Sequence, residues 1–313
     1  MRTAIGRIEG KVKIVLVMDQ FDNSNNGTTI AAHRLAENLR QHGHTVTVLA
    51  AGASAPGKIG ASKHTIPLFQ KLIEAQGMQF AKPDPALYYQ AFEGADIIHF
   101  FMPFRFCREG ERHARQMNIA CVAGFHVQPE NITSSIYLNR YQWINTYLYR
   151  WFYRRFYNRF DYIHCPSAFI ASQLKEHHYE AHIHVISNGV AREFLPPAAN
   201  AAKPEDGRIR ILMIGRLSRE KRQDIVIKAA MQSRYADRIQ LIFAGKGPRE
   251  NLLKKLARKL PHPPVIGFYT QEELIRLIQS CDLYVHASDA EIEGISCLEA
   301  MACGLVPVIS DSK

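Results

Sequence analysis

Val12-Lys13-Ile14-Val15-Leu16-Val17 opens the stretch that decides the fold, a near-continuous apolar run that suits a strand buried on both faces of a parallel sheet. A polar loop rich in Asn and Ser follows from Asp19 to Gly27. Ile30, Ala31, Leu35, Ala36 and Leu39 then recur at helical spacing, ending near Gly43, and Thr45-Val46-Thr47-Val48-Leu49 is a second strand. Strand, helix, strand makes a βαβ unit. The alternation continues outward, with strands predicted at 96–101, 119–125 and 161–167 and helices at 108–116 and 168–177. Val185-Ile186 closes this half before the turn Ser187-Asn188-Gly189.

Leu195 to Gly207 is rich in Pro and Ala and has no apolar periodicity, the composition of an inter-domain linker. The α/β pattern then restarts, with strands predicted at 209–214, 240–244, 264–266, 283–287 and 306–309. Helices fall at 223–232, 249–260, 271–279 and 295–303. A chain of 313 residues is about twice the usual domain size. The expected architecture is α/β, with two Rossmann-like doubly wound domains, 1–190 and 191–313, facing a cleft.

Composition narrows the class. Hydrophobic residues at 47% and charged residues at 22% are ordinary for a globular protein and exclude disorder and fibre. No apolar run is long enough to cross a bilayer, and the N-terminal residues lack the apolar core of a signal peptide, which predicts a cytoplasmic protein. The six cysteines form no CxxC pair and read as buried thiols. With 39 Lys+Arg against 29 Asp+Glu, the net charge of +10 favours an anionic partner: nucleic acid, anionic lipid or phosphate.

Five places can carry chemistry. From Ser288 to Gly304 a strand end, an acidic loop with Gly294 and a helix start follow one another, with Glu291 in the loop and Glu299 on the helix. Free N–H groups at that start suit a phosphate and the carboxylates suit sugar hydroxyls, although acidic residues at a helix start also serve as simple caps. Gly215-Arg216-Leu217-Ser218-Arg219-Glu220-Lys221-Arg222 follows a buried strand, where its cations either clamp a diphosphate or form a solvated turn. Asn26-Gly27-Thr28-Thr29 brings backbone near a phosphate or merely turns. His126 follows the strand 119–125 and is either structural or at the cleft mouth. Finally, Tyr137 to Phe160 holds eleven aromatic residues and five arginines (Arg140, Arg150, Arg154, Arg155, Arg159) with no acid. That segment, with Trp143 and Trp151, fits a helix in an anionic membrane surface, a platform for stacking bases, or a packed helix with snorkelling arginines.

Together these elements resemble a retaining glycosyltransferase of the GT-B fold, glycosyltransferase family 4. The pattern Glu-x7-Glu before Ala-Met-Ala-Cys-Gly is met by Glu291, Glu299 and residues 300–304. Gly215-Arg216-Leu217 with Glu220-Lys221, Ile186-Ser187-Asn188-Gly189-Val190, and Gly245-Lys246-Gly247-Pro248 meet three further motifs, in order. The similarity runs from about Val12 to Ile309.

The resemblance implies that Arg216 and Lys221 bind the donor diphosphate, and that Glu299 holds the ribose. The backbone of Gly294, Ile295 and Ser296 meets phosphate and sugar. Glu291 touches the transferred sugar, His126 sits by its reacting face, Gly27 approaches the phosphates, and the base rests near Lys246 and Phe268. It implies no cofactor and no metal, in agreement with the lack of a DxD motif. Diacylglycerol glucosyltransferases of this family carry a similar basic amphipathic segment. The expected enzyme is therefore a hexosyltransferase using UDP-glucose and a lipid or glycan acceptor, held peripherally at the inner face of an anionic membrane. Nucleic acid is not an expected partner. An inactive binding module of the same fold and an RNA-binding protein are the competing readings. Ile292-Glu293-Gly294 departs from the usual Gly-aromatic-Gly, and the second domain is expected to be truncated at its C-terminus, after the strand 306–309.

Overall fold

The computed structural model describes residues 10–22, 27–67, 70, 78–135, 138, 141–198, 204 and 206–311. The chain divides into two compact units. The first comprises residues 1–129 and 141–188, the second residues 130–140 and 189–313. The parting falls at Gly189, whose φ of +70° lies in the left-handed region open to glycine. The expected linker is not where the units separate: Val190, Ala191 and the buried Phe194 already pack into the second unit's core, and Gln279 Nε2 donates to the Leu195 carbonyl at 2.9 Å.

In the first unit, β1 (Lys13–Gln20) lies between β2 (Thr45–Ala51) and β6 (Ile97–Phe100) in a seven-stranded sheet. The order is β3 (Lys58–Ala61), β2, β1, β6, β7 (Ala120–Gly124), β8 (Tyr162–Cys165), β9 (His182–Val185), with every pairing parallel. Val15, Leu16 and Val17 are wholly buried, as a strand covered by helices on both faces must be. A short antiparallel pair, β4 (Lys63–His64) with β5 (Phe80–Ala81), stands apart. The order reverses at β1, so the crevice outside the carboxyl ends of β1 and β6 is this unit's natural ligand position.

The second unit repeats the plan with five parallel strands. The order is β12 (Val265–Gly267), β11 (Ile239–Ala244), β10 (Ile209–Ile214), β13 (Leu283–His286), β14 (Pro307–Ile309). Alternation along β11 feeds two cores. Leu241 and Phe243 join Met213, Leu217, Ile227 and Leu253 on one face, while Ile242 and Ala244 join Leu212, Ile278, Tyr284 and Ala300 on the other. The switch point lies between β10 and β13, the strands whose loops carry the acidic and basic motifs.

Seven helices follow the sequence closely, at Gly27–Gln41, Arg105–Gln116, Ala168–Glu176, Gln223–Gln232, Glu250–Leu256, Gln271–Ser280 and Ile295–Ala302, whereas Pro85–Phe92 and Pro129–Ser135 are helices that were not expected. Ser167 caps 168–176 by accepting from the Ile170 N–H at 3.3 Å, and Thr270 with Glu273 forms a capping box on 271–280. All six cysteines are free thiols. Among the described residues no helix is long and apolar enough to cross a membrane.

Candidate active site

The carboxyl ends of β10, β11 and β12 are tied by backbone bonds. Gly215 N donates to Ala244 O at 3.0 Å, Gly245 N to Gly267 O at 2.7 Å, and Leu217 N to Lys246 O at 3.0 Å. Only glycine fits at 245, because a Cβ there would lie 2.1 Å from the Gly215 carbonyl oxygen. That neighbour is backbone and cannot swing away. Gly245→Ala is expected to cost about 3 kcal/mol and to lower the thermal midpoint by roughly 10 °C, read by calorimetric scanning. An unchanged midpoint would mean that the loops at this edge are not held as described.

On this frame the loop after β10 meets the loop after β13. Asp289 N donates to Glu220 O at 2.8 Å, and Arg222, in the left-handed region at φ +56°, places Nη1 2.8 Å from Asp289 Oδ1. Lys221 Nζ forms an ion pair with Glu291 Oε1. The same oxygen accepts from Ser288 Oγ at 2.9 Å and from His286 Nε2 at 3.0 Å. The other ring nitrogen, Nδ1, lies 3.1 Å from the Tyr284 hydroxyl, which lies 2.8 Å from Ser296 Oγ. Burial alone would raise the Glu291 carboxyl, but the Lys221 ammonium and the His286 hydrogen bond hold it well below its ordinary value. Arg216 pairs with the buried Glu220 at 2.6 Å, and Ser218 Oγ reaches the same carboxylate oxygen at 2.5 Å. Glu220 too is driven down despite its burial.

The remaining donor-side residues fall on the same edge. Gly294 precedes the helix Ile295–Ala302, and no side chain caps that start. Ile295 is buried at its first turn beside Ser296, and Glu299, 6% exposed, lies one turn on. Lys246 Nζ sits 4.9 Å from the centre of the exposed Phe268 ring. The sequence reading assigned no role to Glu220, His286, Ser288 or Tyr284, which hold Arg216, Glu291 and Ser296; their contacts arise only from the way the two loops meet.

In the first unit His126 follows β7 and is buried, stacked on Phe101 with ring centres 4.9 Å apart. Its Nε2 has no hydrogen-bond partner among the described residues. Burial, then the neighbouring His164 and His99, drives it well below the usual imidazole range, so the ring is neutral. Thr28 Oγ1, next to Gly27 at the first helix start, donates to the His126 carbonyl at 3.2 Å, while Asn26 lies outside the described residues. At the end of β1 the buried Asp19, not singled out in the sequence, accepts from Ala81 N at 3.1 Å, and its burial raises it to about 7.

The aromatic segment divides between core and surface. In the helix Gln142–Arg155 and the turn after it, Tyr149, Phe152, Phe156, Tyr157 and Phe160 are buried, as the packed-helix alternative requires. Trp143 at 70% and Tyr147 at 61% exposure lie on one stripe with the exposed Arg150 and Arg154. Tyr147, Arg150, Trp151, Arg154 and Arg155 line a hollow of about 340 Å³. Two residues grouped with the membrane set are otherwise engaged: Trp151 is half-buried under the Arg108 guanidinium, and Arg159 Nη1 bonds the fully buried Glu111 at 2.6 Å. Arg140 lies outside the described residues.

Known proteins share this fold and parts of this sequence. Over 254 residues, 74% of this chain, it is 26% identical to the alpha-monoglucosyldiacylglycerol synthase of Streptococcus pneumoniae and spans 57% of that relative's length. It is 24% identical, over 95% of its length and 72% of the relative's, to a GDP-mannose-dependent alpha-mannosyltransferase of Corynebacterium glutamicum. Anabaena HepE, solved in complex with UDP-glucose, has the same fold, with a TM-score of 0.68 at 17% identity over 96% of this chain and 81% of that one. TarM has a TM-score of 0.70 at 12% identity over 97% and 86%. The fold is GT-B. Residues 198–313 match the family model Glycosyl transferases group 1, and residues 25–194, more than half of the chain, match Glycosyltransferase Family 4. With both of its units matched in this way, the chain belongs to glycosyltransferase family 4.

Proposed function

We propose that the chain is a retaining glycosyltransferase that moves glucose from UDP-glucose to a membrane lipid. The carrying observation is the cluster at the β10 and β13 edge, where Arg216 and Lys221 stand beside an uncapped helix start and two carboxylates. Cations and N–H dipoles at that edge neutralise a leaving diphosphate without a metal, and Glu299 accepts from ribose hydroxyls. Glu291 orients the transferred sugar. Neutral His126 donates to a sugar hydroxyl near the reacting carbon, and the departing phosphate takes the acceptor's proton as transfer proceeds on one face. Glucose and a diacylglycerol-type acceptor are supported by the name of the Streptococcus relative. Because the Corynebacterium relative is named for GDP-mannose, the base is tested directly. UDP is expected to bind the wild-type chain at least tenfold more tightly than GDP by calorimetry, and a reversed order would replace the donor. Incubation with UDP-glucose and diacylglycerol vesicles is expected to give an α-linked product by NMR, and a β-linked one would end the retaining assignment.

Docking at the inner face of an anionic membrane would rest on the stripe Trp143, Tyr147, Arg150, Arg154, in which aromatic rings and cations share one helix face. Each arginine at such a surface contributes about 1 kcal/mol, so Arg150→Glu/Arg154→Glu is expected to weaken binding to anionic vesicles by at least about 30-fold. Flotation with neutral vesicles should recover little protein. Equal recovery from both vesicle types, or none from either, would remove the membrane reading.

A further inference from the structure

The carboxyl ends of β6, β7 and β8 bring three histidines together in the first unit. His99 lies on β6, His126 just past β7 and His164 on β8, and one ring nitrogen of each lies within 4.8 Å of the other two. The strand register explains the meeting. Gly124 of β7 stands directly opposite His164, and a Cβ at Gly124 would lie 2.9 Å from His99 Nε2 and 2.6 Å from His126 Nε2. Both nitrogens therefore converge on the space that this glycine leaves open. Both are buried and lack a hydrogen-bond partner among the described residues, although a buried imidazole nitrogen ordinarily finds one.

We propose that His99, His126 and His164 form a binding site for a divalent transition cation of the zinc class. The dimensions suit it. With Zn–N bonds of about 2.0–2.1 Å in a tetrahedral arrangement, imidazole centres stand about 5 Å apart. The observed separations are 5.4 Å for His126–His164 and 6.0 Å for His99–His164, so small ring movements complete the geometry. His164 carries the supporting hydrogen bond that such ligands use. Its Nε2 lies 2.7 Å from the Ile186 carbonyl, which can only accept, so the proton sits on Nε2 and the lone pair on Nδ1. Three nitrogens leave a fourth position for water. On the transferase reading, binding would occupy the Nε2 of His126 and make the cation an inhibitor relieved by a chelator.

Two titrations of the full chain test the site without turnover, so their outcome is independent of the donor and acceptor assignments. Co²⁺ alone is expected to bind one equivalent and to show the visible bands of a tetrahedral nitrogen site. Zn²⁺ alone, followed by calorimetry, is expected to bind one equivalent and to lose at least tenfold in affinity in His99→Gln and in His164→Gln. Gly124→Ala should lose the site by filling it. The exposed-histidine control His42→Ala/His178→Ala should bind as the wild type does. A Co²⁺ spectrum of the hydrated, octahedral ion in the wild-type chain overturns the proposal whatever the variants do. So does Zn²⁺ binding unchanged by His99→Gln and His164→Gln, which would assign the metal to surface histidines.

Discussion

Alanine at both Arg216 and Lys221 lowers the affinity for UDP by about 10²- to 10⁴-fold, measured by calorimetry on the purified chain. The size follows from two charge-assisted hydrogen bonds to a diphosphate at about 1.5–3 kcal/mol each. The surroundings push the loss toward its upper end. Arg216 is paired with Glu220 and Lys221 with Glu291, so removing the cations leaves two carboxylates beside the position of an anionic ligand. The single variants separate the contributions. Lys221→Ala leaves Glu291 held by His286 and Ser288, whereas Arg216→Ala leaves the buried Glu220 with Ser218. If the double variant bound UDP as tightly as the wild type, the diphosphate would lie elsewhere and the donor assignment would fail. Near-UV circular dichroism of each variant reports whether the loops keep their packing.

Glu291→Gln carries the second large effect, a fall in kcat/KM of about 10²-fold or more, while UDP affinity holds or rises because a carboxylate is removed from beside the diphosphate. Glutamine keeps the shape but loses the charge that Lys221 faces and that accepts from His286 and Ser288. The same residue gives a dependence of stability on pH with a definite sign. Burial opposes ionisation, but Lys221 and His286 outweigh it and hold the folded carboxyl below its unfolded value of 4.5. A depressed folded value contributes stability above the unfolded one and loses it as the pH falls toward the folded one. Glu291 and Lys221 are each about one-fifth exposed, which places the pair between a surface and a buried ion pair, at about 2 kcal/mol. Wild-type stability should therefore fall on acidification below about pH 4.5 more steeply than that of Glu291→Gln. Parallel denaturation curves for the two chains across that range would rule the pair out as a source of acid sensitivity, and full kcat/KM in the variant would remove Glu291 from the sugar site.

The sequence by itself determined the architecture. Apolar runs such as 12–17 and 209–214 suit strands of a parallel sheet covered by helices on both faces, and Ser167 and Thr270 mark two helix starts locally. The short elements Lys58–Ala61, Lys63–His64 and Phe80–Ala81 escaped that reading, because none of them carries the continuous apolar run that marked the other strands. Motif spacing likewise brought Arg216, Lys221, Glu291 and Glu299 to one sheet edge. Only the tertiary structure decided what those groups touch. That Lys221 meets Glu291, seventy positions away along the chain, depends on two loops meeting across neighbouring strands, and Glu220, His286 and Ser288 gain their roles from that meeting. The aromatic segment makes the same point. Its composition allowed core, membrane or nucleic acid, and burial of Tyr149, Phe152 and Phe156 beside exposure of Trp143 and Tyr147 divided one run between interior and surface. The three histidines lie at 99, 126 and 164 with no common motif. Strand order and register alone brought them together, because side chains at the ends of adjacent parallel strands become neighbours however far apart they lie in the chain.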